Sequence, residues 1–175
     1  MGSSISSMWT QQCPPKPVFT EKDLPNLHDK VYIVSGSNTG VGKELARILY
    51  SRGARVYMAA RSEQKANQAI EDIKRAAPSS TGALVFLPLD LADLPSIKTS
   101  AQRFLGAESK LHVLFNNAGV MGPSTMPIPR TNQGYELNLG VNCVGTFLFT
   151  KLLTPVLIST AKLERCNEIR VIWLS

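Results

Sequence analysis

Between residues 30 and 174, short runs of apolar, β-branched residues alternate with segments of helical periodicity, and this alternation constrains the fold most strongly. Residues 30–35 (KVYIVS) read as a first strand. Residues 42–53 read as a first helix, with Leu45, Ile48 and Leu49 at helical spacing. A second strand is expected over 54–60, followed by a helix over 62–77 that opens on Ser62, with Glu63 and Gln64 in its first turn. A third strand (83–90) precedes a helix over 94–106, with Asp93 at its N-cap and Pro95 in its first turn. A fourth strand (111–117) leads through a Pro- and Gly-rich loop into a long helix from Tyr135 to Leu163, bent or interrupted near Pro155. The chain then reaches a fifth apolar run, Ile169 to Ser175. Strands that are continuously apolar belong in a sheet covered on both faces. Short strand-helix connections therefore predict a doubly wound α/β domain, a parallel sheet with helices on each side.

A length of 175 residues suits one such domain, and 43% apolar with 18% charged residues is ordinary for a globular protein. Residues 1–29, rich in Ser and Pro, read as an irregular leader lying over the surface, and 30–175 as the domain. No apolar stretch is read as reaching the roughly 18 residues that span a membrane, and the start lacks a secretory signal, so a cytoplasmic location is expected. Gly2 and Ser6 match the loose N-myristoylation pattern, which is short enough to arise by chance, and Met8 could equally be the natural start. Cys13, Cys143 and Cys166 are widely spaced and show no metal-ligand pattern, so free thiols are expected, with Cys143 buried. His28 and His112 are read as surface residues, and Tyr32 and Tyr57 as core. The net charge of +6 comes from scattered basic residues without the basic-aromatic motifs of nucleic-acid binders. A solvated basic surface that favours an anionic cofactor is the simpler reading.

The stretch 35–45 (SGSNTGVGKEL) joins the first strand to the first helix. Glycine permits positive φ and close backbone approach, and a helix N-terminus attracts phosphate, so this turn reads as a phosphate cradle. Gly36, Gly40 and Gly42 are spaced Gly-x3-Gly-x-Gly, unlike the Gly-x-Gly-x2-Gly dinucleotide fingerprint, and no Ser or Thr follows Lys43 as a P-loop would require. A tight turn without a ligand remains an alternative for this stretch alone.

Together with 87–93 (LPLDLAD), 116–119 (NNAG) and 141–147 (VNCVGTF), in that order, the turn changes the reading. The sequence resembles the short-chain dehydrogenase/reductase family over about residues 30–175, most closely its retinol-dehydrogenase-like and protochlorophyllide-reductase-like branch, in which fungal members are common. The resemblance implies a Rossmann-like sheet of strand order 3-2-1-4-5, with the last strands of the family fold missing. It implies that Gly36, Ser37, Asn38, Thr39, Gly40, Val41 and Gly42 carry a pyrophosphate and the adjacent ribose. Asp90 and the Leu91 backbone would hold adenine, and Asn117, Ala118 and Gly119 would border the cofactor. Asn38 and Thr39 could also serve turn and cap chemistry, Asp90 a cap, and Asn117 a tie between strands. Ala60 stands where an NAD enzyme carries an acid, and Arg61 follows; with Lys65 it would pair with a 2′-phosphate, so NADP(H) is the expected cofactor.

The resemblance further implies hydride transfer between nicotinamide and a small-molecule carbonyl or alcohol, by analogy a lipophilic or polyketide-like compound of secondary metabolism. Asn142 matches the family's relay Asn, although a helix-interior Asn can equally satisfy a local backbone break. Ser175 falls either on the catalytic Ser or one residue before it. The family's Tyr-x3-Lys has no counterpart: Tyr32, Tyr50, Tyr57 and Tyr135 all lack a Lys four residues on. Two readings follow. One is a truncated NADP(H)-dependent oxidoreductase with little activity of its own; the other is a non-catalytic nucleotide-binding or interaction protein. In either, Val171 to Leu174 would form an apolar outer edge, and helix 135–163 would offer a face for a homo-oligomer.

Overall fold

The computed structural model describes residues 13–14, 16–122 and 126–174. Gly2, Ser6, Met8 and Ser175 lie outside the described residues. The elements are β1 (Val31–Ser35), α1 (Gly40–Ser51), β2 (Arg55–Ala60), α2 (Glu63–Ala76), β3 (Ala83–Pro88), α3 (Leu94–Ala107), β4 (Val113–Asn116), a π-helical segment (Leu139–Gly145) running into α4 (Thr146–Ala161), and β5 (Arg170–Trp173). The five strands form one parallel sheet in the order β3-β2-β1-β4-β5. Both the doubly wound fold and the strand order agree with the expectation.

Strand geometry sends successive side chains to opposite faces, and the apolar runs supply both. Ile33, Tyr57, Leu87 and Leu114 point to one side and pack with Phe104 of α3 and Phe149 and Leu153 of α4. Tyr32, Val34, Val56 and Met58 point to the other and pack with Leu49 of α1 and Ile70 and Ile73 of α2. Each such large side chain, fully buried, stabilises the fold by about 1.5–3 kcal/mol. Tyr57 meets Phe104 edge-on, with ring centres 4.9 Å apart. Before β1, the segment 16–30 contains a single 3₁₀ turn (Glu21–Asp23) and is pinned where Leu27 is buried and its N–H donates to Arg52 O. At the other edge β5 pairs with β4, and Trp173 is 53% exposed.

The long helix departs from its predicted form. Tyr135 lies outside it, the irregularity sits in the π turn rather than at Pro155, and α4 runs through Pro155 unbroken. Pro155 and Lys151 both lie on the exposed side. The carbonyl left without a donor by the proline therefore faces solvent, which can satisfy it. The π turn forms where the Leu91 carbonyl presses on Gly145, and Thr146 Oγ1 donates to Val141 O across it. Cys143, expected inside, is exposed on this turn, as is Leu139, and Phe147 is exposed at the start of α4. The 23 residues Leu139–Ala161 are also long and apolar enough to cross a membrane by length and composition, contrary to the sequence reading. Phe149, Leu153 and Leu157 are nonetheless buried against α3 and the sheet, the usual position of a core helix.

His112 was expected at the surface and is buried. Its Nδ1 accepts from the Val31 N–H at 2.9 Å, which leaves the ring proton on Nε2, 3.2 Å from Glu164 Oε1. Glu164 also receives Lys30 at 2.6 Å and Lys110 at 3.1 Å, so β1, β4 and the end of α4 are tied at one point. The hydrogen bonds from Lys30, then Lys110 and His112, hold the Glu164 carboxyl down at about 2. Burial pushes the imidazole below its ordinary value, outweighing the upward pull of Glu164. The folded state therefore excludes a proton that the unfolded chain takes up near pH 6.5. Stability is expected to decline as pH falls through that value, with the Glu164 contribution lost further down, from about 4.5 toward 2. Melting curves between pH 7 and 5 should show this slope, and His112→Gln should flatten it; an unchanged slope in the variant would discount His112 as its source.

Candidate active site

The turn after β1 is shaped by what it must pass. Gly36 has φ +66°, and a Cβ there would lie 2.9 Å from Ala118 Cα. A Cβ at Gly42 would lie 2.5 Å from Asn117 Nδ2 and 2.6 Å from Gly36 O. The turn thus lies directly on the end of β4. Asn117 Nδ2 donates to Ser35 O at 2.9 Å and Gly36 O at 3.3 Å, and Ser35 Oγ accepts from the N–H groups of Asn117 and Ala118, each at 3.0 Å. Asn117 therefore ties β1 to β4, the structural alternative raised for it.

At the turn's far end Thr39 occupies the N-cap of α1 without a side-chain capping bond, and the first helical turn holds no acidic residue. The first-turn N–H groups and the positive end of the helix dipole are left for an external anion. Ser37 is fully buried, and its Oγ has no hydrogen-bond partner among the described residues.

A cleft of about 370 Å³ runs along the carboxyl edge of the sheet, a size in the range of small-molecule sites. From the β3 end to the β4 end it takes in Asp90 and Leu91, then Arg61, then Gly36, Asn38 and Thr39, then Asn117 to Gly119. The structure so gathers nine of the residues singled out from the sequence. Val120 and Val141 complete the β4 end. Arg61 is the cation of this lining; it is exposed and forms no salt bridge among the described residues. Asp90 Oδ1 accepts from the Ala92 N–H at 2.9 Å, which fixes the turn leaving β3.

Five expected residues are not in the lining. Gly40 and Val41 open onto an apolar groove on another side of α1, with Leu45, Phe115 and Ile172, and Val41 is 67% exposed. Gly42 and Ser37 lie behind the turn, where they make it compact. Lys65 is exposed on α2, one turn beyond the cleft, and its N–H is used by Ser62 Oγ, which caps the helix as predicted.

Asn142 also stands outside the lining and acts on it through the backbone. Its Oδ1 accepts from the Val120 N–H at 2.8 Å and its Nδ2 donates to Val120 O at 2.9 Å. Sequence reasoning missed two companions. Asn138 Oδ1 accepts from the Gly122 N–H at 2.7 Å; its four-residue spacing from Asn142 on one helix was the available signal. Gln133 accepts from the Leu94 N–H at 3.1 Å and donates to Asp93 Oδ1 at 3.0 Å. Asp93 is therefore at the N-cap as expected, but the capping oxygen comes from Gln133. Among the described residues, no group of three or more His, Cys, Asp or Glu is placed to hold a metal ion.

Residues 30–164 match the sequence profile of the short chain dehydrogenases. The chain belongs to that family. A short-chain dehydrogenase/reductase of Phomopsis amygdali is 57% identical over 173 residues, which cover 99% of this chain and 51% of that protein. One from Neocamarosporium betae is 54% identical over 98% of this chain and 50% of its own length. The chain thus spans about half the length of these relatives. Among solved structures, a metagenomic short-chain oxidoreductase in complex with NADP superposes with a TM-score of 0.70 at 27% identity, covering 86% of this chain and 63% of the other. The Pseudomonas aeruginosa RhlG/NADP complex gives 0.69 at 27% identity, over 85% and 55%. The family's dinucleotide fits the open α1 terminus, the glycine turn, where Gly36 and Gly42 leave no room for a Cβ, and the cation at the end of β2.

Proposed function

We propose that this chain forms the NADP(H)-binding part of an oxidoreductase acting on a carbonyl or alcohol carbon. The observation that carries the reading is Arg61, free of any carboxylate partner among the described residues, at the end of β2 where Ala60 stands in place of an acid. A guanidinium there suits a 2′-phosphate and leaves the ribose of NAD without an acceptor. The open N–H groups of α1, with Asn38 and Thr39 beside them, suit the pyrophosphate. Asp90 and the Leu91 backbone suit the adenine at the β3 end, and the backbone of Ala118 and Gly119 borders the other half of the cofactor. Support comes from the NADP-bound relatives in structure. When bound, the nicotinamide supplies or accepts the hydride. The resemblance to the retinol-dehydrogenase-like branch supports a lipophilic substrate of secondary metabolism, by analogy of fold.

Arg61→Asp should weaken NADPH binding roughly 30–100-fold while leaving NADH nearly unchanged, the equivalent of about 2–3 kcal/mol for hydrogen bonds to a charged group. Fluorescence titration with both cofactors measures it, and equal losses for the two would remove the case for NADP(H).

Proton transfer needs a group that these 175 residues do not place. No Tyr is followed by Lys four residues later. Burial, then the Glu108 hydrogen bond, pushes Tyr57 up to about 12, and burial likewise raises Tyr32. Neither can act as a base near neutral pH. This chain should therefore bind NADPH yet show no NADPH oxidation above background with a panel of aldehydes and ketones.

A further inference from the structure

The rim of the cleft at its β4 end is held from behind by two side chains on one helical face. Asn142 brackets Val120 with both amide atoms, and Asn138, one turn earlier, receives the Gly122 N–H. The fit at both rungs is close. A Cβ on Gly122 would stand 3.3 Å from Asn138 Oδ1, and one on Gly119 would stand 3.5 Å from Asn142 Oδ1. Asn138 is itself set in place: its N–H and that of Leu139 donate to the Glu136 carboxylate at 2.9 and 2.7 Å. Those two N–H groups hold the Glu136 carboxyl below its ordinary value, as expected for an acid at a helix start. Gly119 and Val120 line the cleft, whereas Asn138 does not. In the sheet order this rim lies beyond the glycine turn, on the side away from Arg61 and Asp90.

We propose that Asn138 is a positioning residue for the β4 half of the cleft, sharing with Asn142 the task of fixing the Gly119–Gly122 rim. The inference rests on the reading of the cleft as an NADP(H) site, in which the 2′-phosphate half belongs at Arg61 and the nicotinamide half at the rim. Asn142 holds only Val120 and leaves the two residues after it without a side-chain tie. The second rung, two residues on, sets the direction of the segment, as two points define a line. Loss of the Asn138 acceptor should then disturb the nicotinamide half of the site and spare the adenosine half. A residue that merely stabilised the fold would weaken both.

NADPH and adenosine 2′,5′-bisphosphate, which offers Arg61 its phosphate but carries no nicotinamide, separate the two cases. Asn138→Leu removes the acceptor at similar size, and Asn138→Asp retains an oxygen for Gly122. The leucine variant should bind NADPH about 3–10-fold more weakly than wild type, the worth of one such hydrogen bond, and adenosine 2′,5′-bisphosphate as well as wild type does. The aspartate variant should match wild type on both ligands. Should the leucine variant not fold, Asn138→Ala carries the same expectation. Equal weakening of both ligands, no weakening of either, or an aspartate variant that behaves like leucine overturns the proposal. A wild-type chain that binds neither ligand overturns the reading of the cleft itself, and this inference with it.

Discussion

Replacing Gly42 by alanine is expected to weaken the proposed NADPH binding sharply and to cost the chain much of its stability. Helix propensity alone argues the reverse, since alanine is favoured over glycine in a helix by about 0.8–1 kcal/mol. Here the added methyl would lie 2.6 Å from the Gly36 carbonyl oxygen and 2.5 Å from Asn117 Nδ2. The first is backbone, and the second is committed to Ser35 O and Gly36 O, so neither can yield without moving the turn off β4. Overpacking and the loss of a buried hydrogen bond together should destabilise by about 2–5 kcal/mol. For a chain of this size that lowers Tm by roughly 5–15 °C. Displacement of the turn by about 1 Å should weaken NADPH binding about 100-fold, because the N–H groups of α1 would no longer converge on one point. Gly40→Ala supplies the contrast. Gly40 has φ +56° but nothing within 4 Å of its absent Cβ, so only the conformational cost of about 1–2 kcal/mol applies. Thermal melts and NADPH titrations of the two variants should therefore differ clearly. Similar behaviour would mean that strain, not contact, governs the turn.

What could be read in the sequence was what depends on local pattern. Apolar runs and helical spacing located β1 to β5 and the helices within a few residues, and motif order brought nine residues to one cleft. The misses depend on what arrives from elsewhere in the chain. His112 looked like a polar residue at a strand start, yet Glu164 reaches it from beyond α4, and that carboxylate is shared with Lys30 and with the neighbouring Lys110. Cys143 was assigned to the core as a small apolar residue, yet it stands exposed on the π turn. Pro155 was expected to bend or interrupt the long helix, yet α4 continues through it, and its side of the helix faces solvent. Gln133 caps a helix that begins about forty residues before it, and no local signal announces such a contact.

Gly145→Ala should be the most damaging substitution away from the glycine turn, for a reason that the sequence did not show. The Leu91 carbonyl oxygen lies 2.2 Å from where the Cβ would stand, and the Leu91 carbon lies 3.1 Å away. Both are backbone, and Asp90 immediately before them is fixed by its bond to the Ala92 N–H. The methyl must therefore force the π-helical segment and the β3 loop apart. Leu91 and Val141 line the cleft from these two elements, so separating them widens the site as well as loosening the fold. A destabilisation of about 2–3 kcal/mol, near the upper range for overpacking, is expected. It corresponds to a Tm lower by roughly 5–10 °C. Because Leu91 stands at the β3 end of the cleft, affinity for adenosine 2′,5′-bisphosphate should fall together with affinity for NADPH, the opposite pattern to that expected of Asn138→Leu. Gly106→Ala in α3 tests whether contact is the cause. No atom lies within 4 Å of its absent Cβ, so alanine there should stabilise by about 0.5–1 kcal/mol. If Gly145→Ala instead behaves like Gly106→Ala, the π-helical segment can move away from Leu91 without cost, and the close approach of the two backbones does not shape the site.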